Sequence, residues 1–265
     1  MVNMPLHMPK ILAALSLLPM LSSCASGAAT PAETGVQYLE PEIIQVHPFD
    51  ERSFTQGLEV DEQGNLLVAT GMVGESRLYR VTPEGEELQS VDLDPAFFGE
   101  GVTVAGADLW QLTWQDGVAI RRDAGSLAEL GRYPLSTEGW GICSRQDELL
   151  LSDGSAALSR LDPETFELRE QTRVTLEGVP VEGLNELECV GDEVYANVFL
   201  STEIMRIDAL SGEVTAVIDA ANLPNNATPD PNHVLNGIAH LDNGSFLLGG
   251  KRWPDLYEVR FVPSA

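Results

Sequence analysis

From Val36 onward the apolar residues alternate with polar ones in short runs, and no stretch keeps the 3.6-residue spacing of a long amphipathic helix. Alternation turns one side of each run toward an apolar layer, so the chain predicts short β-strands throughout. Five segments overlay on one another: "QGLEVDEQGNLLVATG" from Gln56, "EGVTVAGADLWQLTW" from Glu100, "WGICSRQDELLLSDG" from Trp140, "NELECVGDEVYANVF" from Asn185 and "NGIAHLDNGSFLLGGK" from Asn236. Each opens on a polar or aromatic residue, usually followed by Gly. An alternating strand, a turn with Gly, Asp or both, and a second strand complete a β-hairpin. The openings lie 44, 40, 45 and 51 residues apart, the length of a four-stranded propeller blade. Between the hairpins, runs such as "RLYRVTPEGEELQSVDL" and "IMRIDALSGEVTAVIDA" supply the outer strands. The expected fold is therefore all-β, a five-bladed β-propeller over residues 41–265.

The same alignment says where a site would form. The first strand of each repeat should line the axis, so its opening residues, Gln56, Glu100, Trp140, Asn185 and Asn236, should ring one mouth. The hairpin ends return beside them, which adds Thr70, Trp114, Asp153, Phe199 and the neighbourhood of Lys251. A purely structural repeat would place one small residue at these points in every blade. Here each blade supplies a different group, as a binding site requires.

Composition adds two constraints. The chain has 265 residues, with 41 acidic and 15 basic side chains and a net charge of -26. Such a surface repels phosphate backbones, so nucleic acid is not an expected partner, whereas a peptide's α-ammonium would be attracted. At the other end, Lys10 precedes the apolar run "ILAALSLLPM", which is too short to cross a bilayer and suits a signal peptide. With "LSSC" after it, the run resembles a bacterial lipobox, which implies cleavage before Cys24 and acylation of its thiol. The expected organisation is a signal peptide over 1–23, a tether over 24–40 and the propeller beyond. The mature protein would be exported and anchored at the periplasm or cell surface, with the lipid as its only membrane contact; an ordinary secretory signal with an incidental cysteine, and hence a secreted protein, is the alternative.

At the ring positions the motifs "FTQGL" (Phe54 to Leu58), "FFGEG" (Phe97 to Gly101), "GWG" (Gly139 to Gly141), "SDG" (Ser152 to Gly154), "LNELE" (Leu184 to Glu188), "VLNGIA" (Val234 to Ala239) and "GKRWPDLYEV" (Gly250 to Val259) follow in order. Together they resemble the plant- and bacterial-type glutaminyl cyclases, from about Val46 to the C-terminus. The resemblance implies a five-bladed propeller and an acyltransferase that converts N-terminal glutamine of a peptide or protein to pyroglutamate, releasing ammonia. It implies a catalytic role for Glu100 and places the family's asparagine at Asn185, its lysine at Lys251 and its tryptophans at Trp114 and Trp140. Phe54 and Gln56 match its "FTQG" element. The chain departs from the pattern at Phe199, where the family usually has Trp. Phe keeps an aromatic face and loses the indole N–H donor.

These residue types suit the implied chemistry. One carboxylate, Glu100, would take a proton from the attacking amine and deliver one to the leaving nitrogen. Lys251, Asn185 and Gln56 are candidate donors to the oxygen on which negative charge develops. Trp114, Trp140 and Phe199 would fold the glutamine side chain back on its amine, with Phe54 shaping the wall. Asp153 is expected to serve a turn. No metal or other cofactor is expected: His7, His47, His233 and His240 show no paired ligand spacing. Cys143 and Cys189 stand 46 residues apart at equivalent repeat positions; two buried free thiols are the expected state, a disulfide the alternative. The protein is expected to be a monomer. Two other classes stay open. One is a non-catalytic propeller that binds peptide termini, suggested by Phe199. The other is a calcium-dependent propeller hydrolase, which would need more axial carboxylates than Glu100 and Asp153.

Overall fold

The computed structural model describes Met1 and residues 35–264, so the expected signal peptide beyond Met1, Cys24 and most of the expected tether fall outside the described residues. Strand β1 spans Gln37–Pro48. Four strands then form a sheet in chain order: β2 (Thr55–Val60), β3 (Leu66–Thr70), β4 (Arg77–Val81) and β5 (Glu87–Asp92). The pattern repeats in β6 (Gly99–Ala105), β7 (Asp108–Thr113), β8 (Val118–Asp123) and β9 (Glu129–Pro134), and again in β10 (Ile142–Arg145), β11 (Glu148–Ser152), β12 (Ala157–Leu161) and β13 (Leu168–Arg173). A small pair, β14 (Thr175–Leu176) and β15 (Val179–Pro180), precedes β16 (Leu184–Val190), β17 (Glu193–Val198), β18 (Glu203–Asp208) and β19 (Val214–Asp219). The chain ends with β20 (Leu235–His240), β21 (Phe246–Gly250) and β22 (Asp255–Pro263). No helix occurs among the described residues, and the fold is all-β and propeller-like.

The opening strand of every repeat is an inner strand. β2, β6, β10, β16 and β20 pack side by side and close a circle, β20 returning to β2. The Gly that follows most opening residues has a physical cause in this circle. A Cβ on Gly57 would lie 2.7 Å from the Val102 nitrogen, and one on Gly101 would lie 2.7 Å from the Trp140 carbonyl oxygen. One on Gly141 would strike the Asn185 carbonyl oxygen. Backbone meets backbone here, and Gly101 N–H donates to Trp140 C=O at 2.8 Å. The fourth repeat alone replaces this Gly with a charged residue, Glu186, whose carboxylate accepts the Leu58 N–H at 3.0 Å.

Outer strands β5, β9 and β13 are mostly exposed, as sheet edges facing water should be, yet β19 is mostly buried. The reason is β1. It pairs antiparallel with β22 along most of its length and parallel with β19 through Gln37, Tyr38 and Leu39. β1 thus joins β16–β19 to β20–β22 in one eight-stranded sheet, and the first and last strands of the described residues hold each other. This corrects the tether boundary: residues 37–40 belong to β1.

Apolar side chains of neighbouring sheets fill the space between them. Trp110 is fully buried between two sheets, stacked on Phe166 at 4.5 Å and against Tyr133 at 4.9 Å. Its indole N–H donates to Pro163 C=O at 3.2 Å. The scarce cations add polar links. Arg80 pairs with buried Asp61 at 2.8 Å and reaches Gly125 C=O of the next sheet at 3.0 Å. Arg145 does the same from β10, donating to Gly191 C=O at 2.9 Å.

Cys143 and Cys189 are joined by a disulfide, with their Cα atoms 5.5 Å apart. This overturns the expectation of free thiols. Both residues sit on inner strands, β10 and β16, which lie side by side, so matched repeat positions become neighbours within bonding reach. The bond closes a loop of 46 residues. Replacing both cysteines with serine should cost about 2–5 kcal/mol and lower the Tm by roughly 5–15 °C. Calorimetry checks this, and the variant should keep its turnover at 25 °C.

Candidate active site

One mouth of the circle holds a cavity of ≈190 Å³ lined by Phe54, Gln56, Phe98, Glu100, Trp114, Trp140, Asn185, Phe199, Asn232 and Lys251. All eight side chains expected to form the site are there. Three other ring residues are not. Thr70 exchanges hydrogen bonds with Arg77 of β4, and Asp153 accepts from Ser155 N–H and Oγ within its turn. Asn236 lies beneath the cavity, where its amide donates to the Thr55 carbonyl at 3.1 Å and to Gln56 Oε1 at 3.3 Å. It holds Gln56 from behind.

Glu100 sits on inner strand β6 and is 5% exposed. Gln56 Nε2 donates to its Oε1 at 2.9 Å. Burial pushes the Glu100 carboxyl well above the usual carboxylate range, the Lys251 ammonium opposes the shift, and Glu138 adds to it. Lys251, in the turn after β21 and 6% exposed, is pulled below the ordinary lysine value by the same desolvation, against the attraction of Glu100 and Glu186. Burial thus outweighs mutual attraction in this pair. It raises the Glu100 carboxyl and lowers the Lys251 ammonium, so each is pushed toward its neutral form.

The apolar wall is built from edge contacts between rings. Phe54 meets Phe98 at 6.3 Å, Phe98 meets Trp114 at 5.6 Å and Trp140 meets Phe199 at 5.2 Å, each edge to face. Lys251 Nζ lies over the rings of Phe54 and Phe199, 5.1 and 5.5 Å from their centroids. Two glycines make room for the rings. A Cβ on Gly71 would overlap the Phe98 ring, and one on Gly154, where φ is +81°, would lie 2.7 Å from Trp140. Trp114 and Phe199 remain 37% and 41% exposed, the outer lip of the cavity.

Below Glu100 the inner strands carry Glu186, Glu59 and Glu188. Burial raises all three above the ordinary value, and repulsion from Glu59 or a neighbouring glutamate adds to the lift on Glu186 and Glu188. The sequence reading counted chiefly Glu100 and Asp153 here and so missed the axial carboxylates. Even so, no group of three or more His, Cys, Asp or Glu among the described residues is arranged to hold a metal ion. Phe98 and Asn232 were missed as well. Phe98 had a signal: it precedes Glu100 by two residues, as Phe54 precedes Gln56. Asn232 lies in the segment between β19 and β20, outside the repeat, where no periodic signal exists.

This arrangement has counterparts among known proteins. The glutamine cyclotransferase family profile matches residues 14–261. A glutaminyl-peptide cyclotransferase of Arabidopsis thaliana is 32% identical over 227 residues, covering 83% of this chain and 71% of the relative. The crystal structure of Myxococcus xanthus glutaminyl cyclase superposes with a TM-score of 0.82 at 33% identity, covering 87% of this chain and 100% of that one. A streptogramin B lyase superposes more loosely, with a TM-score of 0.54 at 12% identity over 82% of this chain and 98% of that one, a likeness of fold alone. With the motif order, the aromatic cavity around one buried glutamate and these matches in agreement, the chain belongs to the glutamine cyclotransferase family.

Proposed function

We propose that this protein is a glutaminyl-peptide cyclotransferase that converts the N-terminal glutamine of a peptide or protein to pyroglutamate. The observation that carries the reading is Glu100: the one carboxylate among the lining residues of a small aromatic cavity, buried and raised by that burial, in a lining it shares with buried Lys251. The peptide's neutral α-amine attacks the γ-carboxamide carbon of its own side chain. Glu100 accepts the proton from that amine and passes it to the departing γ-nitrogen, so a lactam C–N bond forms, the amide C–N bond breaks and ammonia leaves. The raised pKa suits a group that must both accept and donate near neutral pH. Lys251, Asn185 and Gln56 are the candidate donors to the oxygen on which charge develops, and Phe54, Trp114, Trp140 and Phe199 hold the side chain folded.

The reaction as written needs no metal or other cofactor. The finer architecture belongs to the same proposal: five blades, each built on one inner strand of the circle, the last completed by β1. So does the cell address, with residues 1–23 removed, Cys24 acylated and the monomer held by its lipid outside the cytoplasm. Its overall negative charge favours a cationic peptide end over nucleic acid.

Ammonia release from a Gln-initiated tripeptide tests the reading. Glu100→Gln should lose roughly 10²–10⁴-fold in kcat, and wild-type turnover should survive EDTA. Peptide binding without turnover in the wild type would favour the non-catalytic alternative, and loss of activity in EDTA would overturn the mechanism.

The pH dependence follows from the shifted groups. Glu100 must be ionised to accept the amine proton, so kcat should rise with pH on an acid limb whose midpoint lies above 4.5. Lys251 is the cation that holds this midpoint down. In Lys251→Met the limb should therefore move to higher pH. The same peptide in both profiles cancels its own titration.

A further inference from the structure

The ring of aromatic side chains around the cavity has a gap between Trp114 and Trp140, and Glu138 fills it. Trp114 Nε1–H donates to Glu138 Oε2 at 2.8 Å, and Trp140 Nε1–H donates to the same oxygen at 3.0 Å. Gln115 Nε2 donates to the other oxygen at 2.6 Å. The circuit then runs Phe54, Phe98, Trp114, Glu138, Trp140, Phe199 and back to Phe54 through Lys251. Two charged links, one anionic and one cationic, close a wall otherwise made of rings.

The link also joins two sheets. Trp114 and Gln115 follow β7, whereas Glu138 and Trp140 lie between β9 and β10, and Gly139 N–H donates to Trp114 C=O at 3.0 Å. The repeat gives independent support. Glu138 stands two residues before the opening residue Trp140, the position held by Phe54 before Gln56 and by Phe98 before Glu100. Where two repeats place a cavity-lining Phe, the third places a carboxylate. The three N–H donors, Trp140 first, hold Glu138 below the usual glutamate range.

We infer that Glu138 is a positioning residue of this site: its shared carboxylate oxygen fixes the orientation of both tryptophans against which the glutaminyl side chain folds. A rotation of either indole would alter the approach of amine to carboxamide, and misplacement by about 1 Å can cost on the order of 100-fold in rate. Glu138 also acts on Glu100 through charge, alongside Lys251 and Glu186. The inference rests on the cyclotransferase reading for its kinetic consequence and on hydrogen-bond geometry for the rest.

The test uses Glu138→Gln and Glu138→Asp in the full chain. The four tryptophans give four indole N–H resonances. In Glu138→Gln the signals of Trp114 and Trp140 should move upfield, because an ionised acceptor is lost. Those of Trp110 and Trp253, whose N–H groups donate to the carbonyls of Pro163 and His233, should stay. For a Gln-initiated peptide, kcat should fall about 10- to 100-fold with less change in KM. The acid limb of kcat should shift to lower pH, because a like charge is removed from Glu100. Glu138→Asp should recover part of the rate and of the indole shifts. Unmoved resonances, or moved resonances with kcat within twofold of wild type, would overturn the inference. Movement of all four signals with a large fall in Tm would overturn it too, by making Glu138 a general structural residue. If the wild type gave no turnover at all, the reaction would be misassigned, and the indole shifts would still decide whether Glu138 holds the two rings.

Discussion

Everything at the mouth depends on how closely the inner strands approach one another. Gly57, Gly101 and Gly141 each lie against the backbone of the next strand, with no room for a Cβ. That closeness brings side chains from different repeats, far apart in sequence, around one small cavity. It also buries them, because a tight circle leaves little space for water between the strands. Glu100 and Lys251 owe their shifted protonation to this burial more than to each other. The fold therefore sets the chemistry before any substrate arrives, as a preorganised site should.

A second consequence is the division of labour among charges. The acidic excess is carried mostly on the surface, whereas the few arginines are used as links: Arg80 and Arg145 each bridge neighbouring sheets through main-chain carbonyls. Burying a carboxylate without a partner is costly. The glutamates of the inner strands reduce that cost by taking backbone N–H donors, as Glu186 Oε1 does from Leu58 and Glu59 from Val104, and by favouring the neutral acid, while Glu186 Oε2 is left without a partner. On the outside, β1 pairs with both β22 and β19 and so ties the first described strand to the last.

Much of this was legible in the sequence because the repeat carries it. Opening residues followed by Gly mark the inner strands, and both the glycine and the variable residue before it have a geometric cause. Phe98 and Glu138 were missed because the alignment began at the opening residue rather than two positions earlier. Asn236 and Thr70 were placed at the mouth because periodicity gives a strand position and not the depth at which a side chain ends. The Cys143–Cys189 bond was undecidable from spacing: equivalent positions in adjacent repeats are neighbours, but the distance between strands is a tertiary quantity. The start of β1 lay hidden because Gln37–Glu40 follow the small, polar sequence "ASGAATPAETG" without a turn signal, and their strand state comes from pairing with distant residues.

A glutaminyl-peptide cyclotransferase closes a ring within its substrate rather than hydrolysing it. The most direct measurement is mass spectrometry of a Gln-initiated peptide carrying a heavy-nitrogen label in its γ-amide. Cyclisation predicts labelled ammonia and a product lighter than the substrate by one ammonia, with its α-amine blocked. Labelled ammonia together with a free α-amine and an N-terminal glutamate would mean hydrolysis, and would rule out a cyclotransferase.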